Sequence, residues 1–185
     1  MGRIAFTTFA ILKEPYGGEL TQGYDDMTPP VFAAAEGFDG FIARAKEIDD
    51  RPDLSNFERD WGAWGPFRAP RFYEGRGGTT LSTDTRASTV SLWRDLPSVY
   101  RFVYSGLHKK ALAGRQQWFL KPEWPGYAMW WVADDHVPTW PEACERLEHL
   151  HDHGSTPTAF DFRRPFLERG EPADPPRLRR RPSKK

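Results

Sequence analysis

Six consecutive residues, Tyr127-Ala128-Met129-Trp130-Trp131-Val132, are apolar without a break, and Pro122 and Pro125 stand just ahead of them. A run this short fits a strand buried on both faces. Upstream, Arg3 to Leu12 is rich in β-branched and aromatic residues and reads as a strand. Ala87 to Trp93 alternates well enough for another, and Ala159 to Phe162 for a short final one. Phe57 to Phe72 is aromatic but broken by Gly62, Gly65, Pro66 and Pro70, which suits a bent or edge strand.

Helices are expected between these strands. Thr28 is placed to cap one whose first turn holds Pro29 and Pro30. Its apolar residues Val31, Ala34, Ala35, Phe38, Phe41, Ile42, Ala45 and Ile48 keep three-four spacing. Asp95-Leu96-Pro97-Ser98 opens a second, running to about Phe119. Thr139-Trp140-Pro141-Glu142 is a capping box for a third, which ends at Gly154. Mixed strands and helices with one hairpin give an α+β class. The expected form is a ferredoxin-like antiparallel sheet with helices on one face and an extra C-terminal helix and strand. Such a sheet leaves its other face bare. With Phe, Trp and Tyr at 15% of the chain, that face is expected to close in a homodimer around a cavity.

Charge narrows the partners. The 26 basic and 26 acidic residues balance, yet the last fifteen residues hold six basic and two acidic side chains. Residues 1–170 are thus expected as a single, mildly acidic domain, and 171–185 as a disordered basic tail. A nucleic-acid partner would need a basic stripe on the folded body, so none is expected there. No stretch of about 18 apolar residues exists for a membrane span. The N-terminus runs straight into the first strand pattern, and Cys144 is the only cysteine, so a reducing cytoplasm is the expected compartment.

Among residues that can carry chemistry, His108 stands out. On a continuous helix it borders the face made by Tyr100, Val103, Tyr104, Leu107, Ala111 and Trp118, with Arg115 two turns on. An imidazole there can serve as general base, or equally as a boundary side chain that packs and meets water. His149-Leu150-His151-Asp152-His153 sits in a last helical turn, where the helix dipole favours histidine, and no metal site is expected. Trp61, Trp64, Phe67, Phe72 and Tyr73 suit either a pocket for a flat apolar ligand or plain core.

Several stretches together resemble the family called domain of unknown function 3291, of the dimeric α/β-barrel superfamily. They are Phe102-Val103-Tyr104, His108, Trp118-Phe119, Met129 to Val132, His136 to Thr139, Arg146 to Leu150 and Gly154 to Phe162. The match covers about Ala87 to Phe162. Two departures lie beside His108: Leu107 separates Ser105-Gly106 from the histidine, and the usual arginine-rich stretch is thinned to Lys109, Lys110 and Arg115. The helix with His108 is also somewhat similar to that of spheroidene monooxygenase, a haem-linked enzyme. The resemblance implies a cytoplasmic homodimer that acts on an apolar, aromatic or polyketide-like small molecule by monooxygenase, cyclase or isomerase chemistry of secondary metabolism. His108, Tyr104 and Arg115 would be catalytic, and Trp61, Trp64, Phe67, Tyr73, Trp93, Trp118 and Trp131 would hold substrate. No cofactor is expected on this reading. A haem enzyme with His108 as axial ligand, or a non-catalytic hydrophobic-ligand binder, are the alternatives the superfamily leaves open.

Overall fold

The computed structural model describes residues 2–176, so the basic stretch from 177 onward lies outside the described residues. Four strands, β1 (Arg3–Ile11), β2 (Phe41–Arg44), β3 (Arg86–Trp93) and β4 (Tyr127–Val132), form one antiparallel sheet in the order β2-β3-β1-β4. Helix α1 (Gln22–Glu36) follows β1, α2 (Leu96–Val103) and α3 (Gly106–Trp118) follow β3, and α4 (Trp140–His153) follows β4. The connectivity is the expected strand-helix-strand-strand-helix-strand, with an added helix. The class is α+β, as read.

Strand alternation sorts the core into two layers. On one face Ile4 and Phe6 of β1, Trp93 of β3 and Met129 of β4 meet Ala35 of α1 and Leu96, Val99, Phe102 and Val103 of α2. On the other, Ala5, Val90, Leu92, Trp130 and Val132 meet Trp61, Phe67, Trp140 and Ala143, while Phe9, Ile11 and Ala128 meet Tyr73, Leu147 and Leu150. The doubly apolar β4 is therefore buried on both sides, as its sequence requires.

That second layer corrects two expectations. Helices do not lie on one face only, because α4 packs on the opposite side. Nor is the second face bare, because α4 and the aromatic residues of 57–73 cover it within the chain. The argument for closing the sheet by dimerisation thereby loses its premise.

Three element boundaries also differ. Helix α1 begins six residues before Thr28, whose Oγ1 donates to the Tyr24 carbonyl at 2.8 Å instead of capping. Pro29 and Pro30 lie inside α1 on its exposed side. The helix stops at Gly37, and Gly40, at φ +90°, turns the chain so that Phe41–Arg44 becomes β2. The three-four spacing had carried the helix through this turn. Phe57 to Phe72 is no strand; it holds two short 3-10 turns, Gly62–Trp64 and Arg71–Tyr73. The expected long helix from Asp95 to Phe119 is two, since Ser105 is extended and Gly106 takes φ +52°. The final strand shrinks to two isolated bridges, Phe160 against Met129, with both backbone hydrogen bonds at 2.9 Å, and Ala159 against Thr156. Within 171–176, Ala173 donates its N–H to the Pro165 carbonyl at 2.9 Å, so the start of the tail is tied to the body.

Candidate functional site

Strand β2 has four residues and β3 has eight, so β3 outruns its neighbour. The last rung is Ala45 N–H to Val90 O at 2.8 Å. Beyond it Ser88, Thr89 and Val90 form the floor of a partly open cleft of about 160 Å³. Trp61, Phe67 and Trp140 wall one side; Tyr16, Tyr24, Thr28 and Phe32 wall the other; Arg44, Glu47 and Asn56 stand among the lining residues.

The aromatic wall is tightly built. Phe67 lies 4.6 Å from Trp140 and 5.7 Å from Trp61 between ring centroids, and Trp61 lies 5.1 Å from Trp140. Trp61 Nε1 donates to the Asn56 carbonyl at 2.9 Å, which fixes the indole. Across the cleft, the Tyr16 hydroxyl donates to the Arg86 carbonyl at 2.8 Å, and its ring lies 6.1 Å from that of Tyr24. Burial holds the Tyr24 phenol above its ordinary value, so it stays a hydrogen-bond donor at neutral pH. Arg44 is committed: Nε donates to Glu36 Oε1 at 2.8 Å, and its guanidinium carbon rests 4.0 Å over the Phe32 ring.

Behind this wall sits Arg86, fully buried. Its guanidinium carbon is 4.0 Å from the Phe67 centroid and 5.5 Å from that of Trp140. Nη2 reaches Ser88 Oγ at 3.4 Å and Cys144 Sγ at 3.6 Å, while Nε and Nη1 have no hydrogen-bond partner. Desolvation pulls its pKa down to about 10, so it remains cationic at neutral pH. Desolvation raises the Cys144 thiol, whose Sγ–H donates to the Arg68 carbonyl at 3.1 Å.

The residues singled out in the sequence are divided among different places. Trp61 and Phe67 line the cleft, and Trp64 packs behind them. Tyr73 instead ties down the 75–85 loop: its hydroxyl accepts from Thr85 N–H at 3.0 Å and lies 2.6 Å from the Gly78 carbonyl. Trp93 and Trp131 belong to the opposite face, with Nε1 of each satisfied by Ser91 Oγ and the Phe166 carbonyl. Trp118, at the end of α3, meets Tyr24 at 6.1 Å, behind the cleft wall.

His108 and Tyr104 border the same core cluster with different partners, and Arg115 is exposed. His108 Nδ1 donates to the Val103 carbonyl at 3.0 Å, a group left free where α2 ends, and its ring packs 4.9 Å from Phe102. Burial lowers its pKa, partly offset by that hydrogen bond. Tyr104 stacks near Tyr100 at 4.7 Å and Phe162 at 5.7 Å. Arg115 is exposed and turns back to the Leu112 carbonyl at 3.1 Å. Phe102, the ring beside His108, packs on Phe38 at 5.5 Å and Trp93 at 5.1 Å. His149 and His153 share a helix face at 4.6 Å, and among the described residues no group of three or more potential ligands could hold a metal ion.

Sequence reasoning missed Tyr16, Tyr24 and Arg86. The first two are far from any motif. Arg86 carried a signal, because two-residue alternation places it on the same face as Val90 and Leu92.

A split strand-helix sheet with both faces covered and an aromatic cleft at a strand end defines an α+β small-domain class. The chain belongs to the family described as Domain of unknown function (DUF3291), whose model matches residues 3–175. No curated protein matches it. Among solved structures it is similar to the NE2512 protein of unknown function from Nitrosomonas europaea, at 9% identity over 75% of this chain and 97% of that one, with a TM-score of 0.43.

Proposed function

We propose that the protein binds a small, flat, single-ring molecule in the cleft beside β3. The observation that carries this reading is the cleft itself: about 160 Å³ bounded by Trp61, Phe67, Trp140 and Phe32. A cavity of about 150 Å³ takes one benzene-sized ring, so a polycyclic polyketide is larger than this space. Phenol, followed by ligand-observed NMR, should show saturable contact with the wild-type protein. Asn56→Trp, which adds bulk to the cleft lining while keeping the backbone carbonyl used by Trp61, should abolish it. Phenol that contacts wild type and Asn56→Trp alike would place binding elsewhere.

A second reading makes the same site an enzyme of the monooxygenase, cyclase or isomerase kind. Its support is the Tyr24 phenol among the cleft-lining groups, which would act as the donor to a carbonyl that gains charge during reaction. Conversion of a bound ring, lost in Tyr24→Phe with binding kept, separates the enzyme from the binder. A homodimer closed over the sheet, part of the wider family picture, has the surface it would use already occupied by α4.

A further inference from the structure

A buried cation without a counterion is costly to a fold, because water no longer solvates it. Arg86 is fully buried and has two guanidinium nitrogens without partners. Its third, Nη2, has only a long contact to a hydroxyl and one to a thiol. Asp84, the nearest buried acid, uses Oδ1 on the backbone N–H of Arg86 at 2.9 Å and the Tyr73 hydroxyl at 3.3 Å, and does not pair with the guanidinium. Among the described residues no carboxylate forms an ion pair with that guanidinium. Its close neighbours are instead the rings of Phe67, Trp140 and Phe9.

The charge lies behind the cleft wall. Of the side chains that touch the guanidinium, Phe67, Trp140 and Ser88 line the cleft, while Cys144 and Phe9 lie outside it. The lining arginine, Arg44, is already paired with Glu36. We infer that the ligand of the cleft is an aromatic carboxylate, whose ring stacks among Phe67, Trp61 and Trp140 and whose anionic group lies in the field of Arg86. The inference rests on the reading of the cleft given above and adds the charge of the ligand to it. Ser88 Oγ accepts from Arg86 and donates its one proton to the Thr8 carbonyl at 2.6 Å, so Ser88 stands between the cation and the cleft with its hydroxyl already committed.

The test compares benzoate with benzamide, two rings of the same shape that differ in charge. Dissociation constants are read at neutral pH by intrinsic tryptophan fluorescence, with ligand-observed NMR as a check. Benzoate should bind wild type roughly tenfold more tightly than benzamide, the order expected for a unit charge acting over several ångströms in a partly buried site. Arg86→Met should reduce the ratio to about one while benzamide binding persists, and Arg86→Lys should keep part of it. Equal binding of the two probes to wild type would overturn the inference and leave the cleft reading standing. Binding of neither would remove both. A ratio kept in Arg86→Met but lost in Arg44→Met would assign the charge preference to the wrong arginine and overturn it too. If Arg86→Met does not fold, the wild-type ratio and Arg86→Lys decide.

Discussion

His108 bonds through Nδ1 to a backbone carbonyl, and a carbonyl only accepts, so the neutral ring must carry its proton on Nδ1. That places the residue as a clasp between the end of α2 and the start of α3. Because burial lowers its pKa below the ordinary 6.5, the folded state binds this proton less readily than the unfolded chain. The unfolded state therefore holds more protons on it as the solution is acidified. The contribution of His108 to stability is full above pH 6.5, is lost as pH falls from there through the lowered folded value, and is constant below that. His149, also lowered by burial, titrates in the same direction, so the informative quantity is the difference between wild type and His108→Gln. Urea midpoints from pH 8 to pH 5 should fall more for wild type than for the variant, with phenol binding the same in both. Identical pH profiles would show that the clasp does not hold in solution.

Helix α4 supplies one of the two covers of the sheet's second face, and its first turn is set by Thr139, whose Oγ1 accepts from Glu142 N–H at 3.2 Å. Glu142 then accepts from Trp130 Nε1 at 2.7 Å and meets His136 Nε2 at 2.8 Å, which joins the cap to β4. Thr139→Ala should lower the free energy of unfolding by about 1 kcal/mol, the usual worth of such a cap. The denaturant midpoint measures this, and an unchanged midpoint would show that packing alone holds the helix start. This element was legible because its signals are local: a capping box, an apolar stripe and a terminal glycine lie within sixteen residues. Strands β1, β3 and β4 were legible for the same reason. The 22–48 and 57–73 stretches were not, because distant residues set their conformation. Phe41 to Arg44 pairs with β3, and Trp61 and Phe67 fold onto Trp140, about eighty residues away. Two of the three rings of the cleft's aromatic wall, Trp61 and Phe67, were thus visible as residue types, while Arg86 behind it was visible only as a parity in a strand.

At the scale of the whole molecule, the question is whether one chain finishes its own core. The sheet's second face carries Trp130, Val90 and Leu92, and these are buried beneath Trp140, Ala143, Trp61 and Phe67 of the same chain. The sheet edges are managed too. Strand β2 is only four residues long, and the outer edge of β4 is bridged by Phe160. The large apolar side chains left exposed, Leu20, Ile42, Ile48, Leu81, Val137 and Leu167 with Tyr16, are spread along the chain rather than gathered in one element. A stable homodimer commonly buries at least about 1,000 Å² of well-fitted surface, and neither sheet face is free to provide it. Light scattering behind a sizing column at micromolar concentration should therefore give the mass of one chain. A second measurement sharpens the point: replacing Leu147, fully buried between α4 and the sheet, by alanine should cost about 2–5 kcal/mol through the cavity it leaves. If α4 is the permanent cover, that loss should be independent of protein concentration. A mass of two chains, or a Leu147→Ala unfolding midpoint that rises with protein concentration, would mean that a second subunit shares the task of covering the sheet.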